Sequence, residues 1–306
     1  MGIALLETKE KPLYSSGFRP LKYNPVSLPT TQEHDETEMP GDRAFHLVEP
    51  IKIEFQPKGT FPLHSECMAT IYAGTSGWAY STWKPGFYPA KLGSTKFLGY
   101  YASRLNSVEL NYTFRRFPTE KLLTGWIDAT PPGFKFAVKA HQSITHVKRL
   151  RNAIAPALEF MSELQPLNDA GRLGPVLFQL PPFLKCDLEL LKDFTAGLPR
   201  KLRVAFEFRH ASWFSEEVFA ILRKAGVALC QAESETLETP EVQTADFSYF
   251  RLRKACYSTE TQNTLTRKIR NVAVEGDVFA YFKHEETPEG ALFAESLLAA
   301  ANTKTA

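Results

Sequence analysis

Cysteine is scarce in this chain: Cys67, Cys186, Cys230 and Cys256 stand far apart, with no Cys-x-x-Cys pair and no zinc-type spacing. A disulfide framework or a structural zinc site is therefore not what organises the molecule, and reduced thiols in the cytoplasm are expected. Long apolar runs are missing too. No stretch reaches the roughly eighteen consecutive apolar residues of a membrane-spanning helix, and the chain does not open on a signal-like segment, so no membrane partner is expected. Charge of one sign is in short supply: 36 basic against 34 acidic residues leave a formal net charge of +2. That is far from the concentrated positive charge of a dedicated DNA-binding domain. The balance is uneven along the chain. Residues 1–68 hold 7 basic and 10 acidic residues and residues 69–306 hold 29 and 24. A mild positive excess on the larger part suits an anionic small molecule or nucleic acid as partner.

The first 68 residues are broken up by Pro12, Pro20, Pro25, Pro29, Pro40, Pro50, Pro57 and Pro62 and are rich in Thr and Glu. Frequent proline and low hydrophobicity predict a mostly disordered arm, with residues 45–55 as its one stretch suited to docking or partner binding. From Thr70 the punctuation changes. Strand-like runs fall at 70–78, 107–114, 134–140, 174–181, 203–210, 227–233, 247–253 and 277–284. Helical periodicity fills 95–105, 119–129, 150–165, 187–197, 215–225, 261–275 and 290–301. Helix-entry residues support several of these, among them Thr119, Asp187 and Ser215. Strands alternating with helices over this length have the rhythm of a (β/α)8 barrel of the TIM type, covering residues 69–306 behind the N-terminal extension. An open doubly wound sheet is the competitor, but its strands are buried on both faces and read as continuous apolar runs. Here one face of the strands carries charge.

Residues 203–213, Arg-Val-Ala-Phe-Glu-Phe-Arg-His-Ala-Ser-Trp, show this most clearly. Alternate side chains of a strand point to opposite faces, so Val204, Phe206 and Phe208 share one and Glu207 and Arg209 the other. Assigning the apolar parity to the helix layer puts Glu109, Asn111, Thr113, Lys139, Gln179, Glu207, Arg209, Arg251, Arg253 and Lys283 on the barrel side. Charges so placed must pair, reach solvent at the mouth or bind a ligand. Glu109 with Lys139, and Glu207 with Arg209 or Arg251, are the expected pairs. The charged positions fall late in their strands, where barrel active sites are built. Glu109 and Glu207 against Lys139, Arg209, Arg251 and Lys283 leave an excess of positive charge, and arginine forks suit phosphate or carboxylate.

Trp78, Tyr80 and Trp213 are candidates for stacking on a base or sugar face, with packing of the loops as the alternative. His210, after Arg209, is a candidate general acid or base alongside Glu207 and Glu109, although its parity points to the helix layer. His141 and His146 follow the third strand, and His146 is a candidate phosphate contact. No cofactor is expected. A divalent ion held by Glu109, Glu207 and a histidine is the nearest alternative, opposed by the surrounding cations. The run 74–78, Gly-Thr-Ser-Gly-Trp, lacks the spacing of a nucleophile elbow and reads as a tight turn, with phosphate cradling as a candidate role.

Taken together, Gly74-Thr-Ser-Gly-Trp78 with Tyr80 and Trp83, Phe87-Tyr-Pro89, Val108-Glu-Leu-Asn-Tyr-Thr-Phe114, Phe134-Lys-Phe136 with Lys139, Thr145-His146, Phe178-Gln-Leu-Pro-Pro182 and Glu207-Phe-Arg-His-Ala-Ser-Trp213 resemble the YecE-like family, domain of unknown function 72, over about residues 70–300. The resemblance implies a TIM-barrel-like fold and supplies no activity; a likeness to sugar-isomerase and endonuclease-type barrels accompanies it. Two departures stand out. Family members often carry Tyr-x-Arg-x-His-Gly at strand seven, where this chain reads Tyr249-Phe-Arg-Leu-Arg-Lys254; at strand eight Phe-x-Asn-Asn is replaced by Phe282-Lys-His-Glu. Three functions are compatible with these residues: an enzyme on a phosphorylated sugar, nucleotide or nucleic-acid phosphodiester; a non-catalytic binder of nucleic acid or an anionic metabolite; and a glycoside hydrolase-like enzyme using Glu109 and Glu207.

Overall fold

A computed structural model describes residues 69–233, 237–254, 257–283 and 287–302. The N-terminal extension expected to be a disordered arm lies outside the described residues. Eight strands follow in chain order: β1 Ile71–Thr75, β2 Ser107–Leu110, β3 Lys135–Lys139, β4 Leu173–Gln179, β5 Val204–Glu207, β6 Ala228–Ala232, β7 Phe247–Leu252 and β8 Asp277–Phe282. They form one sheet in which β2 to β8 pair in sequence and β8 returns to pair with β1, all in parallel. The helices are α1 Phe97–Ala102, α2 Glu120–Asp128, α3 Ile154–Ser162, α4 Gln165–Asp169, α5 Leu188–Ala196, α6 Glu216–Ala225, α7 Thr259–Val272 and α8 Glu289–Asn302. This is the expected (β/α)8 barrel. No helix among the described residues is long and apolar enough to cross a membrane.

Boundaries differ from expectation in instructive places. The second strand ends at Leu110, because residues 112–114 coil into a helical turn. There Thr113 donates its hydroxyl proton to Lys139 O at 2.7 Å, tying that turn to β3. The fifth strand ends at Glu207, which leaves Arg209 and His210 on the following loop. The helix expected over 150–165 divides into α3 and α4, with Pro166 in the first turn of α4, the position where its missing N–H does no harm. Helix starts follow local chemistry: Thr119 and Asp187 accept from the backbone N–H of Leu122 and Leu190, and α6 stops at Gly226, whose φ of 66° is a left-handed cap.

Two apolar layers result. Outward strand residues such as Phe136, Phe178, Phe206 and Phe250 pack against the helices. Inside the barrel Ala137, Ala205 and Ala228 on one side of the wall face Phe247, Tyr249, Phe279 and Tyr281 on the other. Small residues facing large ones suit the narrow interior of an eight-stranded barrel.

Closure between β1 and β2 is made by side chains. Asn106 Nδ2 donates to Ile71 O at 2.8 Å and its Oδ1 accepts from Ala73 N–H at 2.9 Å, so one amide stands in for a strand's peptide group. One step further on, Tyr101 Oη accepts from Thr75 N–H at 2.8 Å and donates to Ser107 O at 3.0 Å. The strands must come close for this. A Cβ at Gly74 would lie 1.9 Å from Ser107 O and 2.6 Å from Tyr101 Oη, so only glycine fits. Replacing Tyr101 with Phe strands a backbone N–H and a carbonyl at the seam, each at about 1–3 kcal/mol. A lowered urea midpoint is the expected outcome, and Gly74→Ala should lower it further; unchanged midpoints in both would show that the seam is held by other contacts.

Candidate functional site

Inward residues at the C-terminal ends of the strands join into one ionic network. Glu109 on β2 is fully buried and is gripped side-on by Arg251 on β7, whose Nε and Nη2 donate to Oε2 and Oε1 at 2.9 and 2.8 Å. The remaining amino group of the same guanidinium, Nη1, donates to Glu207 Oε2 on β5. Glu109 accepts further bonds from Ser76 Oγ at 2.7 Å, Tyr249 Oη at 2.8 Å and Arg253 Nη2 at 3.2 Å. Gln179 on β4, which stands beside Glu207 in the strand register, donates Nε2 to Glu207 Oε1 at 2.7 Å. Its Oε1 accepts from Lys139 Nζ at 2.8 Å, and that ammonium lies 4.2 Å from the Phe114 ring centre.

Of the expected pairs, Glu207 with Arg251 forms and Glu109 with Lys139 does not. Lys139 meets Gln179 rather than Glu109, and Arg251 serves both carboxylates. Arg209 is exposed and makes no ion pair among the described residues. Burial would raise both carboxyl pKa values, but the Arg251 and Arg253 charges and the donated hydrogen bonds outweigh it, so Glu109 and Glu207 sit below the usual carboxylate range. Arg251 is correspondingly pushed up by the two glutamates despite its burial. A glycosidase acid needs a raised pKa; neither glutamate has one, so the glycoside reading loses its support. For the same reason Glu207 is a fixed anion here and not a proton carrier near neutral pH.

Two further titratable groups, both shifted downward, lie next door. Burial, aided by the Arg251 charge, brings Lys139 down to about 8. His146, half-buried, is lowered by burial and by the Lys139 and Arg209 charges; its Nδ1 lies 2.9 Å from Thr145 Oγ1 and its ring meets Phe114 edge-on at 4.9 Å. Phe114 thus touches both Lys139 and His146.

A cavity of about 380 Å³ opens at this end, lined by Gln179, Glu207, Arg209, Glu233, Arg251 and Arg253 among others. Glu233, after β6, holds the start of the β7 loop by accepting from Arg253 N–H at 2.8 Å and from the Tyr257 hydroxyl. Other expected site residues are taken up by the structure. Trp213 is 1% exposed, stacks on Phe208 at 4.6 Å and donates Nε1 to Leu184 O, so it packs a loop rather than facing a ligand. His210 Nδ1 accepts from Ser212 N–H at 3.1 Å, which makes the ring a turn cap. Lys283 lies just past β8, its N–H donating to Leu252 O. Trp78, Tyr80 and Asn111 gather at a separate cavity beside Ser76.

Sequence reasoning passed over Tyr249 and Glu233, and met Ser76 only as part of the 74–78 turn. Tyr249 shares the parity of Arg251 and was legible in the alternation; Ser76 and Glu233 lie where strands end, and alternation is silent there. As for a metal, Arg251 already stands between the two carboxylates, whose four oxygens all accept hydrogen bonds. Among the described residues no three His, Cys, Asp or Glu side chains converge.

A (β/α)8 barrel with a polar network at its C-terminal mouth is the class that this geometry defines. Residues 72–306 match the family described as protein of unknown function DUF72, and the chain belongs to it. The UPF0759 protein YunF of Bacillus subtilis (strain 168) is 31% identical over 170 residues, 51% of this chain and 58% of YunF; the match thus spans little more than half of that relative. A DUF72 family crystal structure from Thermotoga maritima MSB8 is similar with a TM-score of 0.66 at 27% identity, covering 74% of this chain and 97% of that one. One from Enterococcus faecalis V583 gives 0.60 at 18% identity, covering 76% and 98%, a likeness of fold.

Removing Arg251 while keeping both glutamates leaves buried charge without its partner, expected to destabilise by about 3–5 kcal/mol at neutral pH. The wild-type carboxyls have depressed pKa values, so their stabilisation is complete above the ordinary glutamate range, near about 4.3, and lost as pH falls below it. In Arg251→Leu burial raises them instead, so that variant recovers as pH falls. The stability gap between the two proteins should therefore be widest near pH 7 and narrow towards pH 4 in urea titrations; a gap independent of pH would contradict the arrangement.

Proposed function

We propose that this chain is an enzyme acting on a small phosphorylated substrate, a sugar phosphate, nucleotide or phosphodiester, bound at the C-terminal mouth of the barrel. One observation carries the reading: Arg251 and Arg253 together balance the two buried glutamates, so Lys139 and Arg209 remain as cations without a carboxylate partner among the described residues, Arg209 in the lining of a cavity of about 380 Å³ that also holds Glu233. Arg209, exposed and unpaired among the described residues, gathers the anion. Arg251 and Arg253, held by Glu109, need no reorganisation to stabilise charge that develops on it. Lys139 is the proton-transfer group, one hydrogen bond from the cavity wall through Gln179, with His146 beside it. The glutamates act as positioning residues that hold the cations.

Inorganic phosphate titrated calorimetrically should bind, and Arg209→Ala should weaken it about tenfold, the worth of one charge-assisted contact, with no change in thermal midpoint. Turnover of phosphorylated sugars, nucleotides and phosphodiesters should rise with pH through a limb near pH 8, as Lys139 loses its proton. Lys139→Met should abolish that turnover, and Lys139→Arg, which keeps the charge, should not restore it. Phosphate binding with no turnover across the panel would favour a non-catalytic binder, and no phosphate binding would remove the reading altogether.

A further inference from the structure

The near-neutral balance of the whole chain conceals a one-sided rim at the C-terminal end of the barrel. The loops that follow β2, β3, β4 and β5, residues 111–119, 140–153, 180–187 and 208–215, carry seven Lys and Arg residues and one acidic residue. Arg115 and Arg116 follow β2, and Lys148, Arg149 and Arg151 follow β3. Lys185 follows β4 and Arg209 follows β5, and all seven are exposed. The single acid, Asp187, caps α5 and accepts from Arg151 Nη2 at 3.2 Å. The other six cations make no ion pair among the described residues. Acids return where the helices begin, at Glu120, Glu189, Glu216 and Glu217, and Glu189 and Glu216 are engaged by Lys192 and Arg223.

These loops touch one another in strand order. Phe114 and Phe117 meet His146 and His141 edge-on, each at 4.9 Å, which joins the β2 loop to the β3 loop. The Arg149 guanidinium lies 5.0 Å from the Phe183 ring centre, joining the β3 loop to the β4 loop. Cys186 N–H donates to Ser212 Oγ at 2.8 Å and Trp213 Nε1 to Leu184 O, joining the β4 loop to the β5 loop. The positive charge therefore forms a continuous arc. Pro182 and Arg209 line the mouth cavity, so the arc runs into it. Beyond Arg209 the segment after β6 turns acidic, with Glu233, Glu238 and Glu241, and the positive surface ends there.

The β3 loop is shaped to present its cations. Arg149, Leu150 and Asn152 have φ values of 51°, 68° and 48°, a region that few residues with side chains occupy. Leu150 is buried and its N–H donates to Ile144 O at 3.1 Å, which pins the turn from below. Phe183, next to Pro182, stays 62% exposed beside Arg149. A run of exposed cations suits a ligand whose negative charge repeats along its length, and an exposed ring suits one that also carries flat faces. An acidic peptide or an anionic vesicle satisfies the charge and offers no flat face, and a duplex keeps its base faces stacked inside. Single-stranded nucleic acid supplies a phosphate at every step and bases free to stack. We infer that the arc is a binding surface for single-stranded nucleic acid, the backbone following the loops after β2 to β5 and a base stacking on Phe183, with one phosphodiester at Arg209 leading into the mouth cavity. Only that last contact rests on the phosphate reading of the mouth, which it narrows from phosphorylated compounds in general to a phosphodiester within a strand.

Fluorescence anisotropy of the full chain with labelled oligothymidylate and oligouridylate of about 12 nucleotides tests the surface. At least one should bind saturably, with log affinity falling linearly against log salt, and the tighter of the two identifies the sugar it takes. The slope for a single strand is about −0.7 per phosphate contacted, so the double variant Arg115→Ala, Arg116→Ala should make it shallower by about 1.4 and Lys148→Ala by about 0.7. Phe183→Ala should weaken binding about tenfold at an unchanged slope, through lost stacking. Lys224→Ala, at an exposed position in the last turn of α6, should change neither. Inorganic polyphosphate should be indifferent to Phe183→Ala. Calorimetric binding of inorganic phosphate should be the same in every one of these variants, since none of the altered residues lines the mouth cavity. No strand binding, or equal losses in Lys224→Ala and the arc variants, would overturn the surface. Strand affinity unchanged in Phe183→Ala would make the arc a general polyanion surface and overturn its assignment to nucleic acid. Strand binding without inorganic phosphate binding would retain the arc and overturn the reading of the mouth.

Discussion

The Arg251 guanidinium, lying between Glu109 and Glu207 inside a narrow barrel, sets what every other group at the mouth can do. Two buried carboxylates on opposite parts of the wall would repel and lose their charge if left alone; one planar fork with donors on three nitrogens satisfies both at once. With the fork used up on them and Arg253 adding a second contact to Glu109, Lys139 and Arg209 are left without a carboxylate partner among the described residues. Lys139 turns to a neutral amide and loses part of its proton affinity, and Arg209 is left to face outward. The electrostatic sign of the mouth thus follows from two arginines balancing two glutamates while Lys139 and Arg209 stay unpaired with any carboxylate among the described residues.

That contact needs a wall that does not spread. β2, which carries Glu109, joins β1 through the Asn106 amide and the Tyr101 hydroxyl, and β1 joins β8 by ordinary pairing. The Glu109–Arg251 reach therefore crosses a ring whose weakest link is a pair of side chains and a glycine. Further up the same seam Ser76 takes a hydrogen bond from Arg253 and gives one to Glu109. Arg253 occupies the strand-seven position where the family resemblance led one to expect histidine, so the chain adds a cation where relatives of that pattern carry a titratable ring.

Much of this was legible from the residues. Alternation of apolar and charged side chains in 203–210 and 247–253 gave the correct inward parity for Glu207 and Arg251, and the spacing of the runs gave the barrel. Pairing was not legible, because parity tells which way a side chain points and not which strand it meets across the interior. The stacking role expected for Trp213 and the acid–base role expected for His210 ran into local packing: both are held by loop contacts within reach of their own turn. Ser76 and Glu233 lie beyond the ends of strands, where periodicity stops carrying information.

The central claim is that both buried glutamates are permanently ionised by one shared arginine. Selective carbon-13 labelling of the glutamate carboxyl groups, assigned with single Glu→Gln variants and followed by NMR against pH, reads this directly. Both Glu109 and Glu207 should keep carboxylate shifts throughout the range in which surface glutamates take up protons, near about pH 4.3. Either one titrating at or above that pH would contradict the account.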